Sequence, residues 1–255
     1  RYQSEKIIIL QAPDNGGYSK GNNIGIKYLL NHTDIEIICI SNADVKFDED
    51  FVKKLLSDFK KQKDFAVLTG LQINPEGGIA GHPFWEEYTT KRYFKMQILT
   101  LWPLNHILKR NIDSHYAQQK LKQKKEFFQV GAVEGSLFFI RSEVFEEIGL
   151  LDEKVFLYNE ENILAKKIKA IRSKIGVDTT VKYIHYGSVT TKKVLPNKAK
   201  LACLFQSSIY YFNHYQSKNK LLQAANFFVC TLKRMHGYAA ILKNKVYTKC
   251  SRNHT

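Results

Sequence analysis

Cysteine, proline and long apolar runs are all scarce in this sequence. Its 255 residues include 4 Cys and 5 Pro. The cysteines lie far apart, at Cys39, Cys203, Cys230 and Cys250, so they form neither the close pairs of a zinc site nor a disulfide framework. A reducing cytosol is their simplest environment. No run reaches the roughly 18 apolar residues of a membrane-spanning helix, and no basic-then-apolar signal opens the chain, so the sequence predicts no segment that crosses a membrane by itself.

Acidic residues are missing from the last part of the chain. Residues 188–255 contain twelve Lys and Arg but no Asp or Glu, so most of the net charge of +15 lies there. A basic segment attracts polyanions, and the anionic phospholipid of the cytoplasmic leaflet is as suitable a partner as nucleic acid. A solvated basic face is an equally open interpretation.

The overall composition is that of a folded protein. Hydrophobic residues make up 44% and charged residues 25%, which are globular values. The chain begins at Arg1 without an initiator Met and reaches the apolar run of residues 7–10 almost at once. We therefore expect it to be a piece of a longer protein.

Short β-branched runs alternate with helical patterns in the first third of the chain. Residues 7–10, 35–40 and 65–71 favour strands, and residues 22–30 and 49–59 favour helices. This βαβαβ order predicts an α/β fold with a mainly parallel sheet flanked by helices. Ligands should gather where the strands end.

The later segments extend this pattern into two predicted parts. Residues 77–125 are irregular and aromatic, and we interpret them as an insertion that covers a cleft. A core over residues 1–190 and a basic helical tail over residues 191–255 are expected. The supporting segments are a strand pair at 127–140, helices at 142–148 and 160–171, a strand at 177–184, and helical spacing at 199–212 and 221–232.

Two polar segments follow predicted strands, where a ligand would lie. Asn15 and Gly16 open a glycine-rich segment before a helix, which fits either a phosphate- or ribose-binding loop or an Asn-capped helix. Asn42 and Asp44 follow the buried run at 37–40. The carboxylate of Asp44 suits a hard cation such as Mg²⁺ or Mn²⁺, or the cap of the next helix.

Three further titratable residues stand at predicted element ends. Glu160 and Glu161 begin a helix, and adjacent helical positions point in different directions, so only one of them faces a given reacting atom. They suit either a general base or favourable charge at the helix N-terminus. His185 ends the last core strand, as a metal or phosphate ligand or as a structural residue.

Taken in order, these segments resemble the family 2 glycosyltransferases of the GT-A fold, most closely the rhamnosyltransferase-like branch that builds polysaccharides. Residues 15–25 resemble the family's Asn-Gly-aromatic loop with its Gly-X-Asn-X-Gly ending, and residues 42–44 its acidic triplet. Residues 135–141 resemble its Gly-Ser strand with a following Arg. Residues 145–161 resemble its Gly-Phe-Asp-Glu turn and acid pair.

The resemblance implies a role for each candidate residue. Glu161 would be the catalytic base and Glu160 would contact the acceptor. Asp44 would be linked to a divalent metal, with His185 as a further metal or diphosphate ligand. The remaining implied contacts are Asn15, Gly16, Gly21, Asn22 and Asn42 for the donor, and Gly135 and Ser136 for the acceptor.

The implied function is inverting transfer of a sugar from a UDP- or dTDP-linked donor to a carbohydrate or lipid-linked saccharide. Such an enzyme would serve bacterial cell-surface polysaccharide or capsule synthesis, peripheral to the inner face of the cell membrane, with no nucleic-acid partner. The family's first strand and the acidic loop that binds base and ribose have no counterpart here, and Ile163 stands where the family often has Asp. A nucleotide-sugar-binding module without turnover and a nucleic-acid-binding protein are the two alternatives.

Overall fold

The computed structural model describes most of the chain. The described residues form a mixed β-sheet flanked by helices, followed by a helical extension. This confirms the predicted α/β class. The described ranges are 7–32, 34–80, 82–101, 112–187 and 196–252, with the side chains of 112–114 and 243–252 left out.

Six strands form the main sheet of the described residues, and two more form a small separate sheet. The strands are β1 Ile37–Ser41, β2 Val45–Lys46, β3 Phe65–Ile73, β4 Phe84–Trp85, β5 Phe127–Val130, β6 Ala132–Val133, β7 Leu137–Arg141 and β8 Lys174–His185. In the main sheet the order is β1, β7, β3, β8, β2, with β5 also paired to β8. The small sheet pairs β4 with β6.

Strand direction places several chain segments at one edge of the sheet. β3 and β8 are parallel, whereas β7 is antiparallel to β1 and β3, and β2 and β5 are antiparallel to β8. Hence β1, β3 and β8 run one way, and their C-terminal ends meet the N-terminal end of β7. This is the edge where ligands of α/β proteins gather.

Two expectations about strands were wrong in detail. Residues 7–10 form no strand beyond an isolated bridge at Ile7, and these residues are 41–61% exposed. β-Branched composition favours a strand only where the chain finds a partner and a face to bury. The strands predicted at 127–140 exist as β5 and β7, but they do not pair with each other, because β6 between them pairs with β4.

The helices follow the predicted pattern, with longer bounds in several places. Within the described residues they are α1 Gly17–His32, α2 Glu49–Lys61, α3 Thr90–Leu99, α4 Ile112–Leu121, α5 Ser142–Ile148, α6 Glu160–Ala170, α7 Asn197–Tyr211 and α8 Lys220–Arg252. A π-helical turn, Phe212–Gln216, joins the last two.

Helices cover both faces of β3, which is why this strand is a continuous apolar run. Its seven central residues are all buried. Ile26 of α1 and Ile168 of α6 belong to the hydrophobic cluster on one face. Phe51 and Phe59 of α2 belong to the cluster on the other face. Asp48 caps α2 by accepting from the backbone N–H of Phe51 at 2.7 Å, so the amphipathic helix begins where its apolar face begins.

The C-terminal extension is fastened to the core by polar contacts. Asp152 accepts hydrogen bonds from the hydroxyls of Tyr210 at 2.9 Å and Tyr215 at 2.5 Å. These bonds counteract burial and hold the pKa of Asp152 below its ordinary value.

The division into two parts that was expected near residue 190 lies outside the described residues. No helix within the described ranges has the length and hydropathy that a membrane crossing requires.

Candidate active site

Four polar side chains from distant parts of the chain lie at the shared edge of the sheet. Each stands at the end or the beginning of a strand, as the strand directions require. Asp44 follows β1, Gln72 lies near the end of β3, His185 ends β8, and Glu134 precedes β7.

His185 contacts the other three. Its Nε2 lies 3.3 Å from Oδ1 of Asp44, and its Nδ1 lies 3.5 Å from Oε1 of Glu134. The amide nitrogen of Gln72 lies 3.0 Å from the same Nδ1. The hydrogen bond with Glu134, followed by the charges of Glu134 and Asp44, raises the pKa of His185 against the effect of desolvation. The side chains of Asp44 and Glu134 are 16% and 32% exposed, so solvent reaches the cluster.

A divalent cation fits beside Asp44 and His185. In an octahedral shell with ligands at about 2.1 Å, neighbouring ligands stand about 3.0 Å apart, and Nε2 and Oδ1 are 3.3 Å apart. The buried Oε1 of Gln72 has no partner among the described residues. If the amide of Gln72 is rotated by half a turn, its Oε1 accepts a hydrogen bond from Nδ1–H of His185. The lone pair on Nε2 of His185 can then bind the cation.

This pair is a partial ligand set rather than a complete metal cage. In the described part of the chain, no group of three or more His, Cys, Asp or Glu side chains has the arrangement of a metal site. Mg²⁺ is commonly bound by one or two carboxylates together with substrate phosphates. The two metal-binding side chains, Asp44 and His185, therefore suit a cation whose other ligands come from a diphosphate.

Glu161 lies at the same edge, against the segment before β7. Its carboxylate accepts from the backbone N–H of Gly135. The hydroxyl of Tyr18 donates to the carbonyl oxygen of Gly135 at 2.6 Å. A Cβ at position 135 would stand 3.1 Å from that hydroxyl and 3.3 Å from Oε1 of Glu161. Glycine therefore lets both side chains approach the backbone closely.

The carboxyl of Glu161 stays protonated to an unusually high pH. Burial has the largest effect, followed by the charge of Glu160 and then by that of Glu134, and these raise its pKa to about 8. The hydrogen bond from the N–H of Gly135 acts in the opposite direction and lowers the pKa. Burial, followed by the charges of Glu161 and Glu160, raises the pKa of Tyr18. A carboxylate whose pKa lies near the working pH is well suited to general base catalysis.

Glu134 connects the two halves of the site. It contacts His185, whose other ring nitrogen faces Asp44, and its charge acts on Glu161. The structure thus brings Asp44 and Glu161 to one edge of the molecule, although more than a hundred residues separate them in sequence.

Glu160 is buried, and its charge acts on Glu161 at this edge and on Cys203 of α7. It is 8% exposed and accepts from its own N–H and from that of Tyr158. Burial raises its pKa. Its Oε2 has no hydrogen-bond partner within the described residues. The two acids occupy adjacent helical positions, which point in different directions.

The turn before the acid pair has an unusual backbone. Tyr158 and Asn159 have φ of 74° and 66°, a region that non-glycine residues seldom adopt. The side chain of Asn159 donates to the hydroxyl of Ser207 on α7 at 3.2 Å and accepts from Asn162 at 3.1 Å. Strain of this kind persists only where neighbouring contacts hold it, and it clusters at functional sites.

The predicted donor loop lies beside the same turn. Gly17 has φ of 85°, and a Cβ there would stand 2.2 Å from the carbonyl oxygen of Phe156. The amide of Asn15 accepts from the N–H of Gly17 at 3.3 Å, and the side chain of Lys20 covers Gly16. The start of α1 is thus fixed against the backbone of Phe156, four residues before Glu160.

Further along α1, the motif asparagine is structural. Asn23 is 1% exposed and is bonded to the backbone of Leu151 through both of its amide atoms, at 2.9 and 3.1 Å. Asn22 donates to a carbonyl oxygen of its own helix at 2.9 Å, and Gly21 borders open space. Donor contacts by Gly21 and Asn22 stay predictions.

The remaining predicted contacts involve the segment before β7 and differ in accessibility. The N–H of Asn42 donates to the carbonyl oxygen of Ser136 at 2.8 Å, which joins the segment of Asp44 to the segment before β7. Ser136 is 1% exposed, and its hydroxyl lies 3.1 Å from that of Tyr183. Acceptor contacts by Gly135 and Ser136, and a donor contact by Asn42, stay predictions.

Sequence reasoning missed three members of the site, namely Glu134, Gln72 and Tyr18. Tyr18 lies inside the loop that was singled out, and its aromatic ring was the available signal. Glu134 directly precedes the Gly135-Ser136 pair. Its role depends on the antiparallel register that sets β7 between β1 and β3, which no local spacing indicates.

Comparison with known proteins identifies the family of this chain. Residues 1–149 match the family model described as Glycosyl transferase family 2. The chain belongs to this family. The match includes Asp44 and Glu134 and ends before the acid pair, so the roles of Glu160 and Glu161 depend on the geometry and on the sequence resemblance. Family membership agrees with the GT-A arrangement of a mixed sheet flanked by helices.

One curated relative is the "Low-salt glycan biosynthesis hexosyltransferase Agl10" of Haloferax volcanii. It is 26% identical over 182 residues, which are 71% of this chain and 52% of the relative. This chain thus spans about half the length of the curated relative that it matches.

Two solved structures are also similar. One is GalNAc-T7 with UDP, GalNAc and Mn²⁺, at 12% identity and a TM-score of 0.48, covering 91% of this chain and 45% of that one. The other is TarS 1-349 of S. aureus, at 12% identity and a TM-score of 0.40, covering 86% of this chain and 51% of that one.

Proposed function

We propose that this chain carries the catalytic site of an inverting glycosyltransferase, which moves a sugar from a nucleotide-diphosphate donor to a carbohydrate hydroxyl. One observation supports this above the others. The Asp44–His185 pair, suited to a cation, and Glu161, a carboxylate with a raised pKa, lie at the same edge of the sheet and share the neighbour Glu134.

Each side of the site has a distinct role in this proposal. Glu161 takes the proton of the acceptor hydroxyl as that oxygen attacks the anomeric carbon, and the bond to the diphosphate breaks. Asp44 and His185 hold Mg²⁺ or Mn²⁺ beside the diphosphate of the donor. The bound cation supplies positive charge next to the leaving group. Glu134 and Gln72 orient the imidazole of His185.

The contacts that position the two substrates are part of the same proposal. The loop at Asn15 and Gly16, with Asn42, lies beside the donor. Glu160 and the backbone at Gly135 lie on the acceptor side. The constrained backbone at 158–159 supports this assignment, because it fixes the direction in which both acids point.

The donor is proposed to be a UDP- or dTDP-linked sugar. The name of the Haloferax volcanii relative supports a hexose, and the sequence resemblance adds rhamnose. The acceptor is proposed to be a saccharide, free or lipid-linked, in the synthesis of a cell-surface polysaccharide.

A nucleotide-release screen tests the proposal. With Mn²⁺ and a mixed saccharide acceptor, we expect one of the UDP- or dTDP-sugars to release its nucleotide, and EDTA to stop the release. Binding of UDP or dTDP with Mn²⁺ in calorimetry, without release from any sugar, would instead favour a nucleotide-sugar-binding module. A salt-sensitive shift of random RNA or DNA, with no nucleotide binding, would favour the nucleic-acid alternative.

The exposed face of α8 supports a location at an anionic membrane surface. Four apolar side chains, seven residues apart, are exposed by 57–81%, namely Leu221, Phe228, Met235 and Leu242. A dimer through this face is disfavoured, because residues 188–255 contain no acid and the basic side chains of the two copies would repel each other. Anionic lipid attracts such a segment while it covers the apolar face.

Co-sedimentation with vesicles that contain phosphatidylserine tests this location. We expect the chain to sediment with them, and Phe228→Asp to weaken the partitioning by about tenfold or more, because an apolar contact is lost and a like charge is added. Ile9→Asp is a matched control, since Ile9 is 61% and Phe228 64% exposed. Equal partitioning of the two variants, or a concentration-dependent dimer that Phe228→Asp dissociates, would contradict the proposal.

A further inference from the structure

A cavity of about 170 Å³ lies between α3, α7 and α8, apart from the edge of the sheet. A single water occupies roughly 10–15 Å³ on this measure, so a phosphate group has ample room. Its α7 wall is mainly apolar, with Leu201, Leu204 and Phe205 beside the hydroxyl group of Ser208. Its α8 wall contributes Lys233, Arg234 and His236.

Lys233 is a cation that lines this cavity and is largely buried. Its Nζ donates to Oε1 of Gln97 at 2.5 Å, and burial lowers its pKa. None of the described side chains that line the cavity is acidic. The last acid in the sequence is Asp178, so neither α7 nor α8 contains one. An ammonium group has three donors, and a partly buried charge without an opposite charge is costly. An anion would complete this environment.

A second cation is fixed beside the first. The guanidinium carbon of Arg234 lies 4.7 Å from the ring centroid of Phe205 and 5.5 Å from that of Tyr238. The Nη2 atom of Arg234 also donates to the hydroxyl of Tyr238 at 3.3 Å. Stacking on two rings restrains the side chain, and no acidic side chain within the described ranges forms an ion pair with it.

The mouth of the cavity continues into exposed apolar surface. Leu204 is 43% exposed, and Phe227 is 53% exposed. The rings of Phe205 and Phe227 stand 5.9 Å apart, so one apolar strip joins the cavity wall to the outside of α8. A ligand with an anionic head and an apolar tail would match both parts.

We propose that this cavity binds the phosphate group of an anionic amphiphile, with Lys233 as its direct partner and the apolar chain lying across Leu204 and Phe227. The proposal goes beyond sugar transfer and does not depend on it. The cavity lies on a different face of α7 from Ser207, which holds Asn159 beside the acid pair. Occupancy and transfer can therefore be measured separately.

Calorimetry with dihexanoyl phosphatidic acid, below its micelle concentration, tests the site. We expect one molecule to bind per chain, and Lys233→Met to weaken binding about tenfold or more, which corresponds to the loss of a charge-assisted hydrogen bond. Lys220→Met removes the same charge from an exposed position of α8 and should bind as the unchanged chain does.

A second variant and two other ligands distinguish this proposal from its alternatives. Cys230→Leu fills the cavity while keeping Lys233, and it should also lose binding, with an unchanged circular dichroism spectrum. Dihexanoyl phosphatidylcholine should bind much more weakly than the phosphatidic acid. Equal affinity for inorganic phosphate would assign the site to a free anion and overturn the amphiphile. Equal losses in Lys233→Met and Lys220→Met would assign binding to general surface charge and overturn the cavity.

Discussion

Glu161→Gln is expected to abolish sugar transfer while leaving the fold and the binding of nucleotide intact. A general base is typically worth ~10² to 10⁴ in rate, and Glu161 is the carboxylate that faces Gly135 at the edge of the sheet. Glutamine keeps an oxygen that can accept from the N–H of Gly135, so the local structure should survive. The loss should therefore appear in kcat rather than in stability.

The measurement is nucleotide release with the donor that the screen selects. Its control is Glu143→Gln, which makes the same change at an exposed position of α5. Calorimetry with the nucleotide and Mn²⁺ should give equal affinities for both variants. If Glu161→Gln retains kcat within about threefold of the control, then Glu161 is not a base worth ~10² or more, and the assignment is wrong.

The pH profile provides an independent check on the same residue. The base works in its deprotonated form, and burial with Glu160 raises the pKa of Glu161, so kcat should rise with pH from neutral into the mildly alkaline range. Glu160→Gln removes the neighbouring negative charge, which lowers the pKa of Glu161. The rising limb should consequently move to lower pH. A profile that does not move would show that Glu160 has no electrostatic effect on the base.

The elements of the fold were predictable because their signals are local. The sequence of β3 is a continuous apolar run because helices cover both of its faces. Helix α5 occupies the predicted range 142–148. The order of the strands was not predictable in the same way. β7 lies between β1 and β3 through pairings with residues about 70 to 100 positions away, and no local pattern encodes such a pairing.

The candidate site divides along the same line. Asp44 and His185 stand at strand ends, where an α/β fold presents its ligands, so the sequence alone made both candidates, each beside a structural alternative. Glu134 precedes a strand, at a position with no spacing rule, and only the antiparallel register brings it to His185. Glu160 and Glu161 were recognisable as a pair, but the direction of each depends on the left-handed backbone at 158–159.

Asp44→Asn is expected to remove most of the Mn²⁺-dependent affinity for a nucleotide diphosphate. Asp44 supplies the carboxylate of a donor set that otherwise contains only the imidazole of His185. A site with so few protein ligands depends strongly on each, since hard cations prefer charged oxygen. We expect affinity in the presence of Mn²⁺ to fall by about 10²-fold, equivalent to roughly 3 kcal/mol.

The comparison that isolates this effect uses calorimetry with UDP or dTDP, in Mn²⁺ and in EDTA, on two variants. Asp50→Asn makes the same charge change at an exposed position in the first turn of α2, six residues away. It should bind like the unchanged chain, whereas Asp44→Asn should bind equally weakly with and without Mn²⁺. If Asp44→Asn keeps its response to Mn²⁺, the cation is held elsewhere. His185 would then serve to orient Glu134 beside Glu161, and the metal side of the proposed site would have to be reassigned.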